Sequence, residues 1–399
     1  MKVIVIGGGA AGFFTAINIA EKHPNFQVTI LEKTNKLLQK VKVSGGGRCN
    51  VTNERSKPSE LVHFYPRGNK KLHSVFKRFT TSDTVDWLNE RGVETKAEVD
   101  KRMFPTTDSS QTIIDCFMSE TQRLNINIIQ NQSLTALHAK NQQWEIHTAK
   151  DVFLADKVVV ATGASPATWK VLESLGLEIA SLVPSLFTFN ITDDRLNDLQ
   201  GISFNEVQIK IVSTKLEESG PLLITHWGLS GPAVLKLSAR GAYELAERKY
   251  QFEVLVNFVG IKPDEVKQHI RNYQEANPKR KVINYPLFDL PKRFWERMIH
   301  YCDISEETPF TELSKKHVNK LVEELSQGRY SVTGKSTFKD EFVTAGGVKL
   351  SEIDLDTFEC KRYPNLYLAG EVLDIDALTG GFNFQACWSA GWVISESVC

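Results

Sequence analysis

Apolar residues along this chain gather in short, β-branched runs, and these runs set its reading. KVIVI (Lys2–Ile6) and QVTIL (Gln27–Leu31) have the length and composition of buried strands. Between them GGGAAG leads into helix formers from Phe13 to Lys22, so the start predicts strand, glycine turn, helix, strand. DKVVVATGA (Asp156–Ala164) predicts another buried strand ending in a small-residue turn. NLYLAGEVLD (Asn365–Asp374) predicts a strand that delivers Gly370 and Glu371. Gly380, Gly381, Phe382 and Asn383 then lead into a helix from about Phe384 to Ser397.

The segments between these runs differ in texture. Pro66 to Glu120 predicts two or three helices: HSVFKRFTTSDTVDWLNERG is amphipathic, and the Thr106–Ser109 cluster supplies an N-cap for the next helix. Arg102, just before that cluster, is a candidate to face the site. From about Leu186 to Lys335, FTFNIT, EVQIKIV, PLLITHW and YQFEVLVNFV predict strands, while DEVKQHIRNYQ, PKRFWERMIHYC and KKHVNKLVEELSQ predict helices. This is the pattern of an inserted domain with β and helical parts. A chain of 399 residues suggests about two or three domains. The expected boundaries are 1–187, 188–336 and 337–399, the first and last forming one α/β domain and the chain returning to it near Phe338.

Composition narrows the function classes. Lys and Arg total 48 and Asp and Glu total 48, so the net charge is zero. That weighs against a general nucleic-acid binder, which needs a basic surface, without excluding a local basic patch. No apolar run approaches the length of about 18 residues that a membrane span requires. The opening MKVIVIGGG reads as a strand entering a turn rather than a signal peptide. Six scattered cysteines without a C-x-x-C pair are expected to be free thiols in a reducing cytoplasm.

The glycines carry the candidate chemistry. Gly7, Gly9 and Gly12 are in G-x-G-x-x-G register between the two N-terminal strands, and Glu32 follows Gly12 by twenty positions. Gly7 permits the tight turn, Gly9 lets the backbone approach a pyrophosphate, and Gly12 lets helix and strand pack closely. The helix N-terminus at Ala10 and Ala11 offers about half a positive charge to phosphates. Glu32, followed by Lys33, is placed to accept hydrogen bonds from ribose hydroxyls. This fingerprint does not separate FAD from NAD. A second glycine run, KVSGGGRCNVTN (Lys42–Asn53), needs compensation for its ordering entropy. No second G-x-G-x-x-G is present, so a reduced nicotinamide would dock directly over the cofactor.

The strand–glycine–helix start, the ATG strand and the C-terminal strand, glycine, acid and helix together resemble the Rossmann-like FAD-binding domain of glutathione-reductase-type flavoproteins. SGGGRCNVTN, THWGLSGPAVLKLS, TAGGV and LAGEVLDIDALTGGFNFQ further resemble the BaiN/YhiN-type flavoprotein family, whose members are described as NAD(P)/FAD-dependent oxidoreductases or aminoacetone-oxidase-like enzymes. The resemblance implies FAD as cofactor and leaves NAD(P)H open as reductant. It implies that Ser44, Gly45, Gly46 and Gly47 lie along the flavin, with Arg48 offsetting pyrophosphate charge and Asn50 making polar contacts. It adds Ala161, Thr162 and Gly163, Gly370, Glu371 on a ribityl or ribose hydroxyl, and Gly380, Gly381, Phe382 and Asn383 opening a helix towards the flavin N1/C2=O edge.

Cys49 lacks a nearby resolving cysteine, so it reads as a small residue filling loop space. Asp374 and Asp376 read as capping acids, and Trp388 and Trp392 as core. In the inserted domain, Thr225, His226 and Trp227 are expected to end a strand and Gly228–Pro232 to turn into a helix capped by Ser230, with Pro232 in its first turn. His226 is the candidate general acid or base, weighed equally against a structural role. The expected activity is hydride transfer at flavin N5 with a small-molecule substrate, by amine oxidation or by NAD(P)H-driven reduction of an unsaturated acceptor. An FAD-containing tRNA-modifying enzyme and a non-catalytic flavin-binding protein are the alternatives. Oligomeric state is not legible.

Overall fold

The computed structural model describes residues 1–140, 142–336 and 343–399. The expected return of the chain near Phe338 therefore lies outside the described residues. The chain divides into two compact units, Met1–Pro184 with Lys339–Cys399, and Ser185–Phe338. Each has its own apolar core.

The first unit is built on β1 (Lys2–Ile6), helix α1 (Ala10–Lys22) and β2 (Gln27–Leu31). β1 lies between β2 and the strand Lys157–Val160, both parallel to it. The strand Leu366–Leu368 pairs parallel outside Lys157–Val160, and Asn127–Ile129 pairs parallel outside β2. Strands buried on both faces need continuous apolar runs, and the four valines and isoleucines of β1 after Lys2 are all buried. A three-stranded antiparallel meander, Leu134–Lys140, Gln143–Thr148 and Val152–Ala155, links Asn127–Ile129 to Lys157–Val160. α1 starts at Ala10, three residues before the expected Phe13, because the turn glycines end at Gly9.

The C-terminal helix, Phe382–Ser397, covers α1 and begins two residues earlier than expected. The two helices approach so closely that a Cβ on Gly391 would lie 2.6 Å from Thr15 Oγ1. Trp388 is buried and donates to Val51 O at 2.9 Å; Trp392 stacks on Phe79 and carries Lys22 Nζ 3.4 Å above its ring, so both tryptophans pack as expected.

The 66–120 region holds helices Asn69–Arg78, Thr81–Asn89 and Ser110–Arg123. Ser109 caps the last of these, accepting from Gln111 N at 3.3 Å. Between them, Thr95–Ala97 and Arg102–Pro105 pair as strands, and Thr52–Asn53 joins them. Asp376 departs from its expected capping role. It is fully buried and held by the Arg67 guanidinium.

The second unit is a seven-stranded sheet with helices Pro232–Arg240, Pro263–Ala276, Lys292–Tyr301 and Lys315–Gln327. Alternation is clean in Phe252–Asn257 and in Val207–Ile211, whose inward residues are buried while their neighbours are more exposed; between Phe204 and Val207 the register of Ser203–Ile211 shifts. Among the described residues, no helix is long and apolar enough to cross a membrane.

Replacing Asp376 by Ala removes the fully buried half of this ion pair and is expected to cost about 3–5 kcal/mol of stability. Urea denaturation checks this; a loss under about 1 kcal/mol would show that the pair is dispensable.

Candidate functional site

The carboxyl ends of four neighbouring parallel strands carry the glycine and acid motifs: Gly7 after β1, Glu32 after β2, Ala161–Gly163 after Lys157–Val160, and Gly370–Glu371 after Leu366–Leu368. In open α/β sheets this edge is where ligands bind. Backbone proximity explains the glycines. Gly7 has φ +119°, its N–H donates to Leu31 O at 2.7 Å, and a Cβ there would lie 2.4 Å from Ala161 O. A Cβ on Gly12 would lie 1.9 Å from Gly7 O, so only glycine lets α1 seat on the turn. At Gly9, by contrast, a Cβ would meet no protein atom within 4 Å. The first amides of α1 have no intrahelical acceptors and open onto this bare position.

Glu32 is buried and already oriented. Its carboxylate accepts from Gly8 N at 2.8 Å and from Thr34 N and Oγ1, both at 3.0 Å. Lys33 beside it is exposed.

Ser44–Gly47 forms a single tight turn after the short helix Gln39–Val43. Gly45, Gly46 and Gly47 have φ of 58°, 69° and 86°, a left-handed run that side chains resist. A Cβ on Gly45 would strike the Phe104 ring at 2.9 Å, whereas Gly46 and Gly47 face open space. Arg48 is engaged within the protein. Its guanidinium stacks 4.0 Å from the Phe104 centroid and pairs with Glu98 at 2.6 Å and Asp108 at 3.6 Å. Arg102 pairs with the same Glu98 and with Asp100. These arginines buttress the loop from outside.

Cys49 is fully buried, and burial pushes its thiol up to about 12. A thiol held neutral in this way is a poor nucleophile.

Asn50 connects the loop to the C-terminal helix. With its amide oriented to satisfy both ends, its oxygen accepts from Gly381 N at 2.8 Å and its nitrogen donates to Thr52 O at 2.9 Å. Neighbouring residues continue the seam: Asn53 Nδ2 donates to Gly380 O at 3.0 Å, and Thr52 Oγ1 to Gln385 Oε1 at 2.6 Å. Gly381 is the N-cap, with φ 85° and no room for a Cβ, which would lie 2.3 Å from Thr52 O. The side chain of Phe382 points into the core, stacked on Phe64 at 4.2 Å. Asn383 is clasped to Ala377, accepting from its N–H at 2.9 Å and donating to its carbonyl at 3.1 Å.

Glu371 faces Gly163, whose Cβ position is 3.8 Å from Oε2. Its two oxygens are held by Lys40 Nζ at 2.5 Å and Thr344 N at 2.9 Å. Nothing in the local sequence singles out Lys40 or Thr344. Four lysines share Lys33–Lys42, and the contact spans 331 positions.

In the second unit, the strand Glu217–Thr225 ends before His226, and Gly228–Ser230 continues as a paired strand instead of a turn. His226 and Trp227 form the exposed tip between them, fastened by Trp227 N donating to Thr225 Oγ1 at 3.3 Å. Helix Pro232–Arg240 is capped by Gly231, not Ser230, because Ser230 is committed to the strand.

A glycine turn with an open Gly9, a preset acid after β2, bare space over Gly46 and Gly47, and a second helix N-terminus fit a bound dinucleotide. The class so defined is an FAD-dependent oxidoreductase with a Rossmann-type FAD-binding domain and an inserted sheet-rich domain. The chain belongs to the HI0933-like protein Rossmann domain family, which matches residues 1–397. It is 28% identical over 99% of its length to a ribosomal RNA dihydrouridine synthase of Escherichia coli, 97% of which is covered. It is 25% identical over 99% of its length to the 3-dehydro-bile acid delta(4,6)-reductase of Clostridium scindens, 98% of which is covered. The crystal structure of 3-ketosteroid-delta4-(5alpha)-dehydrogenase from Rhodococcus jostii shares the fold, with TM-score 0.52 and 12% identity over all of this chain and 96% of that one.

Gly46→Ala is expected to cost about 1–2 kcal/mol through its left-handed φ and to weaken FAD binding at least tenfold by filling the open space. FAD titration alongside thermal melting separates the two effects; unchanged affinity would move the flavin away from this loop. Cys49 is expected to stay unlabelled by a thiol reagent at pH 8 in the folded protein, while exposed Cys399 reacts.

Proposed function

We propose that this protein uses NAD(P)H to reduce a ring carbon–carbon double bond conjugated to a carbonyl. The observation that carries the reading is chemical. Two full-length relatives take their names from saturating a ring double bond, dihydrouridine being the saturated form of uridine and the delta(4,6)-reductase acting on an unsaturated bile acid. Between the two routes open from the sequence, this favours the reductase over the amine oxidase.

FAD held at the strand ends supplies hydride transfer at its N5. The chain's own groups do the rest. Glu32 and Glu371 bind hydroxyls of the cofactor. The amides of Phe382, Asn383 and Phe384 precede the first intrahelical bond, from Gln385 N to Gly381 O, so the helix N-terminus favours negative charge on a bound ligand. The reduction adds a hydride to one carbon and a proton to its neighbour. His226 is our candidate for delivering that proton: its ring is exposed on the hairpin tip and makes no hydrogen bond among the described residues. Zero net charge favours a small-molecule acceptor such as a cyclic enone. The 28% identity to a ribosomal RNA dihydrouridine synthase favours a second reading, in which the acceptor is uracil within RNA.

The test is anaerobic. The purified protein is expected to show an oxidised flavin spectrum that one of NADH or NADPH bleaches and that an acceptor restores. A flavin that stays oxidised with both nucleotides, yet bleaches with small amines, would establish the oxidase route instead. Acceptors are then a steroid enone and an unmodified rRNA transcript, and whichever restores colour identifies the substrate class. His226→Ala is expected to leave bleaching unchanged and to slow recolouring by about 10²–10⁴-fold; unchanged recolouring would make His226 structural.

A further inference from the structure

The pair Lys40–Glu371 joins two motifs that the sequence keeps far apart. Lys40 lies on Gln39–Val43, the short helix that runs directly into the Ser44–Gly47 turn. Glu371 closes the strand Leu366–Leu368. Their contact, 2.5 Å between Nζ and Oε2, therefore ties the glycine loop to the acid. The other oxygen is fixed independently by Thr344 N at 2.9 Å. Thr344 belongs to the strand Val343–Val348, which is wedged against the same turn: a Cβ on Gly347 would lie 2.6 Å from Val372 O. The carboxylate is the more buried partner, 15% exposed against 52% for Lys40.

A carboxylate oxygen can accept two hydrogen bonds, so one donor on each oxygen leaves capacity for ligand hydroxyls. Without those donors, Glu371 would have to give up its rotamer freedom when the ligand binds. A half-exposed lysine paired with an acid adds little to fold stability. The value of such a contact lies in orientation.

We propose that Lys40 is a positioning residue for FAD: it holds Glu371 aimed, together with the Thr344 amide, and couples the acid to the glycine loop. The proposal rests on the reading of this edge as the flavin site.

The test is FAD titration of the full-length protein after flavin removal, followed by flavin fluorescence, for wild type, Lys40→Met, Lys40→Arg, Glu371→Gln and the double variant Lys40→Met/Glu371→Gln. Lys40→Met is expected to bind FAD about tenfold more weakly with its melting temperature essentially kept, and Lys40→Arg to recover to within about threefold of wild type. The double variant is expected to bind no more weakly than Glu371→Gln alone, because Lys40 acts through the acid. Unchanged affinity in Lys40→Met would overturn the proposal. So would full additivity in the double variant, which would mean that Lys40 touches the cofactor itself. A wild-type protein that takes up no FAD would instead remove the flavin reading, and the proposal with it.

Discussion

The approach of α1 to the turn after β1 governs the rest of the first unit. Gly12 passes so near Gly7 O that any Cβ would overlap it, and Gly7 in turn leaves no room for a Cβ against Ala161 O. Three strand ends and a helix N-terminus are thereby brought within backbone contact. Peptide N–H groups at the first turn of a helix are obligatory donors without intrahelical partners. Bringing them bare to the edge of a parallel sheet creates an anion site from backbone alone. Every polar side chain around the site is arranged against that frame.

The second element of the site is a seam between residues 50–53 and the start of the C-terminal helix. Asn50, Thr52 and Asn53 contact Gly381, Gln385 and Gly380 through hydrogen bonds of 2.6–3.0 Å. Thr84 adds to the same Gln385 oxygen at 2.9 Å, and Tyr65 donates to Phe382 O at 2.6 Å. These groups are buried or nearly so, and a buried polar group left unpaired costs about 1–3 kcal/mol. The seam therefore holds one register between the glycine loop and the helix N-terminus. Arg67 on Asp376 closes it from the other side with a buried charge pair.

Two neutral thiols, Cys49 buried and Cys387 partly buried, bear on the chemistry. Burial pushes both Cys49 and Cys387 up to about 12. They lie near the glycine loop and near Gly370, positions where a reactive thiolate would suggest dithiol exchange. Held protonated, neither thiol is suited to dithiol exchange. In the second unit, the hairpin tip with His226 and Trp227 displays a titratable ring and an indole 61% exposed. It is more exposed than the unit's other exposed large rings, Tyr285 at 38% and Tyr301 at 40%.

The sequence by itself determined the parallel sheet, the N-terminal βαβ unit, a dinucleotide site and the residues that must lack side chains, while the flavin came from the family resemblance. These features are local. Continuous β-branched runs specify strands buried on both faces, and the glycine spacing follows from turn geometry within a dozen residues. Tertiary structure decided what each polar side chain does. Arg48 directly follows a glycine that faces open space, yet it stacks outward on Phe104; Asn50 joins the loop to a helix more than three hundred positions on; Asp376 is a buried ion partner instead of a cap. The meander between Asn127–Ile129 and Lys157–Val160 was likewise not legible, its short strands alternating weakly at the surface. A backbone conformation is written in neighbouring residues, but a hydrogen-bond partner is chosen by whichever distant segment the fold brings within 3 Å, and a one-dimensional pattern carries no record of that choice.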